Sequence, residues 1–175
     1  MIWLSNSTLA RLRDQLLEAG GRPSTVGLPT EGFSVRELQV EYAPLCEAMY
    51  LMMAADGDVG GEEREVLRGA LRNLSSSALR TADIDGMLAS AERSVEVEGK
   101  DARLQAVAKE LSGDRSRAEV AFVLAAAIAF ADNAIADDEN ETLSALADGM
   151  GIDEERAEAL LDEVERDLAA QAEQP

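Results

Sequence analysis

Two stretches of this chain decide its fold. One is Ala55-Asp56-Gly57-Asp58-Val59-Gly60-Gly61-Glu62-Glu63-Arg64-Glu65-Val66-Leu67. The other is Ala131-Asp132-Asn133-Ala134-Ile135-Ala136-Asp137-Asp138-Glu139-Asn140-Glu141-Thr142-Leu143. They lie 76 residues apart and share the pattern A-D-[GN]-x-[VI]-x-x-[ED]-E-x-E-x-L. Each reads as a tight turn that leaves one helix and enters the next. An acid sits on either side of the turn. With Gly60 as N-cap, Glu63 falls at the third helical position, where a carboxylate meets free N–H groups and the positive end of the helix dipole.

Working outward, apolar residues recur at helical spacing on both sides of each turn. Leu45, Ala48, Met49, Met52 and Met53 precede the first turn; Val66, Leu67, Ala70, Leu71 and Leu74 follow it. Ser34 and Glu37 form a capping-box pattern that starts a helix, which Pro44 is expected to interrupt or restart. The run Val120 to Ala131 is apolar nearly all round, as in a helix buried on every side, and is too short to span a bilayer. Further helices are expected over about 83–95, 98–111, 115–132 and 137–148, the last ended by Gly149 and Gly151. Asp153 caps a final one. No stretch alternates with period two. The expectation is an all-α single domain, a bundle of eight to nine helices. An approximate two-fold axis relates the halves of residues 44–165. Residues 1–33 read as an N-terminal helix (Ser7 to Glu18, capped by Ser7) and loop, with Trp3 and Phe33 as anchors. Residues 34–170 read as the helical domain, and 171–175 as a frayed tail.

The formal net charge is −19, from 16 basic and 35 acidic side chains. Such a chain repels nucleic acid and anionic lipid, and attracts cations or basic protein surfaces. There is no histidine, the commonest neutral-pH base and transition-metal ligand. The single cysteine, Cys46, cannot form an internal disulfide and sits in an apolar run as a small core residue. No signal peptide or spanning segment is read, so the expected location is the cytoplasm. No nucleophile–base pair, phosphate loop or cysteine cluster argues for an enzyme.

The chemistry therefore rests on acids. Asp56 and Asp132 close helices, the wrong end of the dipole for a carboxylate, while Glu63 and Glu139 open the next ones. Carboxylates crowded at such turns need protons, a basic partner or a cation, and hard oxygen donors suit Ca²⁺, Mg²⁺ or Mn²⁺. The first copy begins like an EF-hand loop, with Asp56, Asp58 and Gly61 at positions one, three and six. It then departs, with Gly60 at five and Leu67 at twelve. Capping alone accounts equally for Glu62, Glu63, Asp137, Asp138 and Glu139. Both readings stand on the residues. Glu41, Glu47, Glu92, Glu96 and Glu98 read as solvated faces.

The doubled signature, Ala54-Ala55-Asp56-Gly57-Asp58-Val59 with Glu62-Glu63 and Phe130-Ala131-Asp132-Asn133-Ala134-Ile135 with Asp138-Glu139, resembles the TerB family of tellurite-resistance proteins. It is also similar to the amino-terminal module of DjlA-type co-chaperones. The resemblance covers roughly residues 36–165. It implies an all-α pseudo-symmetric bundle, linked to tellurite and other stress, that binds metal or acts as a membrane-associated scaffold without known catalysis. It carries an acidic signature onto Asp56, Glu63, Asp132 and Glu139, with Asp58 and Asp138 beside them. The chain departs from the family's pattern at Gly60-Gly61 and Asn133-Ala134. Two functions follow: a stress module binding a divalent cation, or a metal-free acidic scaffold docking a basic protein in a complex.

Overall fold

A computed structural model describes residues 3–19, 34–55, 57, 59–131 and 135–173. Among the described residues there are eight helices and no strand. They are α1 (Asn6–Ala19), α2 (Val35–Met53), α3 (Gly61–Leu74), α4 (Thr81–Glu98), α5 (Lys100–Leu111), α6 (Arg115–Ala129), α7 (Asp137–Met150) and α8 (Glu154–Ala172). The axis of the fold is α6. Every side chain from Ala118 to Ala129 is buried, and its many alanines let neighbours approach from all sides. Its most extensive partner is α2, buried without a break from Leu45 to Cys46 and from Ala48 to Met53.

The capping box at Ser34 forms: Glu37 N–H donates to Ser34 Oγ (3.3 Å) and Ser34 N–H to Glu37 Oε2 (2.8 Å). Pro44 does not divide α2, which runs through it. The ring removes one helical donor and crowds the carbonyl four residues back. Arg117 of α6 donates from Nη2 to the Glu41 carbonyl in that disturbed turn (2.6 Å), and Pro44 itself is buried. Tertiary packing thus overrides the local break. The first helix is capped by Ser5 rather than Ser7: Ser5 Oγ accepts from Thr8 N–H (3.1 Å). Trp3 packs on the core as expected, while Phe33 lies outside the described residues. Gly151, left-handed at φ 73°, closes α7; Gly149 is still inside that helix and has a different task. A Cβ on Gly149 would stand 2.7 Å from Ala108 Cβ, so its missing side chain is what lets α7 lie against α5.

The packing has a repeating plan in which the N-terminal helix takes part. Leu9, Leu12 and Leu16 of α1 belong to the same core as the rest. Helix α1 lies on α6 and α3 as α5 lies on α2 and α7; α4 lies on α2 as α8 lies on α6. The plan is not followed throughout. Helix α2 also packs on α7, with no interface of similar extent between α6 and α3 among the described residues. The ends of the chain close on each other through polar links. Ser5 N–H and Oγ reach Asp167 (2.8 and 2.7 Å), and Arg11 pairs with Glu163 (2.8 Å).

Candidate metal centre

The described residues that flank the two turns are built alike at backbone level. Helix α2 ends with Ala54 N–H donating to the Tyr50 carbonyl (2.9 Å) and Ala55 N–H to Met52 (3.1 Å). Helix α6 ends with Phe130 donating to Ala126 (2.9 Å) and Ala131 to Ile128 (3.1 Å). Each turn leads into a 14-residue helix, α3 or α7, through an extended N-cap residue, Gly60 (φ −69°, ψ 159°) or Ala136 (φ −72°, ψ 158°). The glutamate at the third helical position then folds back. Glu63 Oε2 accepts from Gly60 N–H (2.7 Å) and Glu139 Oε2 from Ala136 N–H (2.8 Å). Neither N-cap has a polar side chain to return the favour, so each helix start depends on its acid.

Of the six predicted ligands, the structure describes three. Glu63 and Glu139 are half-buried cap residues at equivalent positions. Asp138 is exposed on the first turn of α7, and its carbonyl accepts from Thr142 Oγ1 (2.8 Å). Asp56, Asp58 and Asp132 lie outside the described residues. Among the described residues, no three of the acids or the cysteine converge as a metal site. The donor set fits a hard cation in kind, since every candidate offers carboxylate oxygen.

A cation that no local pattern announces is already built in. Lys100, at the start of α5, donates from Nζ to the Ala55 carbonyl (3.2 Å), beside the first turn. A positive group at a helix C-terminus is favourable by roughly 0.3–1 kcal/mol. Lys100 also stands with Asp138, Glu141 and Asp148 on the walls of a groove of about 740 Å³ between α5 and α7. The signal for Lys100 was long-range, a residue 45 positions from its partner, and no local pattern carries it.

Of the acids expected on solvated faces, Glu47 and Glu92 are half-buried in ion pairs, while Glu98 is exposed as expected and also paired. Glu47 receives Arg103 through both oxygens (2.7 and 2.9 Å), Glu98 pairs with the same arginine (3.2 Å), and Glu92 pairs with Arg64 (3.0 Å). Glu41 is half-buried; Glu96 is exposed as expected. Among the described residues the one buried acid lies elsewhere, at Glu119. Its carboxylate, buried on α6, takes Arg156 Nε (2.9 Å) and Nη2 (2.7 Å) and Arg115 Nε (3.2 Å). Those guanidiniums, Arg156 foremost, hold its pKa below the ordinary glutamate range against the opposing pull of burial. Cys46 is fully buried, and burial pushes its thiol up to about 12.

A family model described as Tellurite resistance protein TerB matches residues 44–162. The chain belongs to the TerB family. The matched TerB region begins inside α2, ends inside α8, and contains both turns and all six candidate acids. Helix α1 lies before it. No curated protein and no solved structure matches the chain. Among the described residues of this TerB-family protein, no helix is long and apolar enough to cross a membrane.

Proposed function

We propose that this chain is a non-catalytic, cytoplasmic stress-response module of the tellurite-resistance type, whose repeated acidic turns bind a divalent cation, Ca²⁺, Mg²⁺ or Mn²⁺. The observation that carries the reading is the duplicated geometry. Two helix ends each deliver acidic sequence into a turn, and two glutamates are held at equivalent backbone positions by bonds of 2.7 and 2.8 Å. Carboxylates fixed in this way lose little further freedom on binding, which favours a cation. The non-catalytic part is supported by chemistry: the chain has no histidine, and its one thiol is buried and held protonated at neutral pH. The test is thermal melting in a chelator and then in each cation. At about 100 times Kd, binding should add ~2.7 kcal/mol.

A second reading, a metal-free scaffold that docks a basic protein, is favoured by where the basic side chains go. Arg11, Arg64, Arg68, Arg103, Arg115 and Arg156 are all engaged in ion pairs within the chain. The acidic excess is therefore left to face solvent and partners. Melting temperatures indifferent to every cation would select this second reading.

A further inference from the structure

The two halves treat one helix pair differently. In the first half, α3 is laced to α4 by three arginines at four-residue spacing. Arg64 Nη2 donates to Glu92 (3.0 Å), Arg68 Nε to Asp85 (2.6 Å) and Arg72 Nη2 to Thr81 Oγ1 (2.6 Å). Below them Leu67, Leu71, Ile84 and Leu88 are fully buried. The 76-residue shift carries the three arginines onto Asn140, Ser144 and Asp148 of α7, none of which can make the same links.

Helix α4 maps onto α8 with a shift of 73, set by the helix starts at Thr81 and Glu154. The apolar series confirms that register: Ile84, Met87, Leu88, Ala91 and Val95 fall on Ala157, Leu160, Leu161, Val164 and Leu168. The acceptors persist, since Asp85 becomes Glu158 and Glu92 becomes Glu165, but the donors are gone. Two large apolar residues also shrink, Leu71 to Ala147 and Ile84 to Ala157. What remains between α7 and α8 is a cleft of about 280 Å³. Buried Phe122 lies at its floor, Leu143 and Leu161 in its walls, and Asp148 and Glu154 at its rim. Asp148, Glu154, Glu158 and Glu165 are exposed, and among the described residues none has an ion-pair partner.

We infer that the α7–α8 cleft receives a basic amphipathic helix from a partner protein. Apolar side chains of that helix enter the cleft, and its arginines or lysines, one turn apart, meet Glu158, Glu165 and the acidic rim. The chain supplies the template itself, because α3 does this to α4 in the first half. Charge complementarity selects the occupant: an acidic rim around an apolar floor rejects an acidic or wholly apolar segment and accepts a cationic one. The inference rests on the partner-docking reading and is independent of cations at the turns.

The probe is a fluorescein-labelled 14-residue peptide with the α3 sequence, Gly61 to Leu74, carrying Glu62→Gln, Glu63→Gln and Glu65→Gln. Anisotropy is followed against the full chain in the presence of a chelator, so that the outcome is blind to divalent cations. Saturable binding is expected, weakened at least tenfold when the peptide also carries Leu67→Gln and Leu71→Gln. On the protein, the double variant Asn140→Arg, Ser144→Arg puts arginines at the exposed cleft-lining positions that correspond in register to Arg64 and Arg68. It should melt higher than the parent and bind the peptide at least tenfold more weakly. No saturable binding to the parent up to millimolar peptide overturns the proposal. Equal binding by the double variant also overturns it, by placing the docking surface elsewhere on the acidic exterior while leaving the docking reading itself intact.

Discussion

Replacing Glu119 with glutamine tests the electrostatics of the fold most directly. The carboxylate accepts two bonds from Arg156 and one from Arg115, and so ties the first turns of α6 and α8 together. Breaking a fully buried pair costs about 3–5 kcal/mol. Here Arg115 is 76% and Arg156 37% exposed, so both guanidiniums regain water when the acid is lost. Glutamine also keeps one acceptor. The expected cost is therefore nearer that of one charged hydrogen bond, about 2 kcal/mol. For a chain of this size that lowers the melting temperature by roughly 4–8 °C. The pH dependence has a definite sign. The folded pKa of Glu119 is depressed, so its contribution is fully present above the unfolded pKa, ordinarily about 4.3, and is lost as pH falls through the folded value. Parent and Glu119→Gln should differ fully at pH 7 and converge on acidification below about pH 4. Circular dichroism melts across that range measure the gap. A Glu119→Gln variant within ~0.5 kcal/mol of the parent at pH 7, or a gap that does not change with pH, would refute the reasoning.

Other perturbations follow from the same geometry. In the cation titration, the ~2.7 kcal/mol expected near saturation appears as a rise of roughly 5–11 °C, against no change in chelator. Asp56→Asn should abolish that rise, whereas Glu110→Gln, on an exposed site of α5, should leave it intact; equal responses from the two variants would remove the acidic turns from the reading. Gly149→Ala should destabilise by ~1–3 kcal/mol, because its Cβ would meet Ala108 at 2.7 Å, as chemical denaturation can measure. Gly69→Ala, in an open helical position with nothing within 4 Å, should instead stabilise by ~0.5–1 kcal/mol, and the opposite order would contradict the assigned α5–α7 approach.

The helices were legible because their signals are local. The apolar stripe before Asp56, the glutamates three residues after Gly60 and Ala136, and Asp153 before α8 all act within one turn of themselves. Asp153 Oδ1 indeed accepts from Arg156 N–H (2.9 Å). The errors have one origin, interactions between residues far apart in sequence. Pro44 has the local chemistry of a helix break, but Arg117, 76 positions from Glu41, supplies a donor in that turn. Glu47 and Glu92 sit on polar helix faces, and only the packing of α5 and α3 brings Arg103 and Arg64 to them. Gly149 has the local chemistry of a helix stop, and its contact with Ala108 cannot be seen from either residue's neighbours. At the candidate centre, the cap roles of Glu63 and Glu139 were readable for the same local reason, and Lys100 was not.

Cys46 gives the fold a single internal clock. Its thiol has no exposed surface and is held protonated at neutral pH, so alkylating reagents can reach it only when the α2–α6 core opens. Labelling rates should follow the opening free energy and should slow with any ligand that stabilises the fold. The same burial shapes how this TerB-family chain meets thiol oxidants. While folded it presents them with no exposed thiol, because its one cysteine is enclosed in the core.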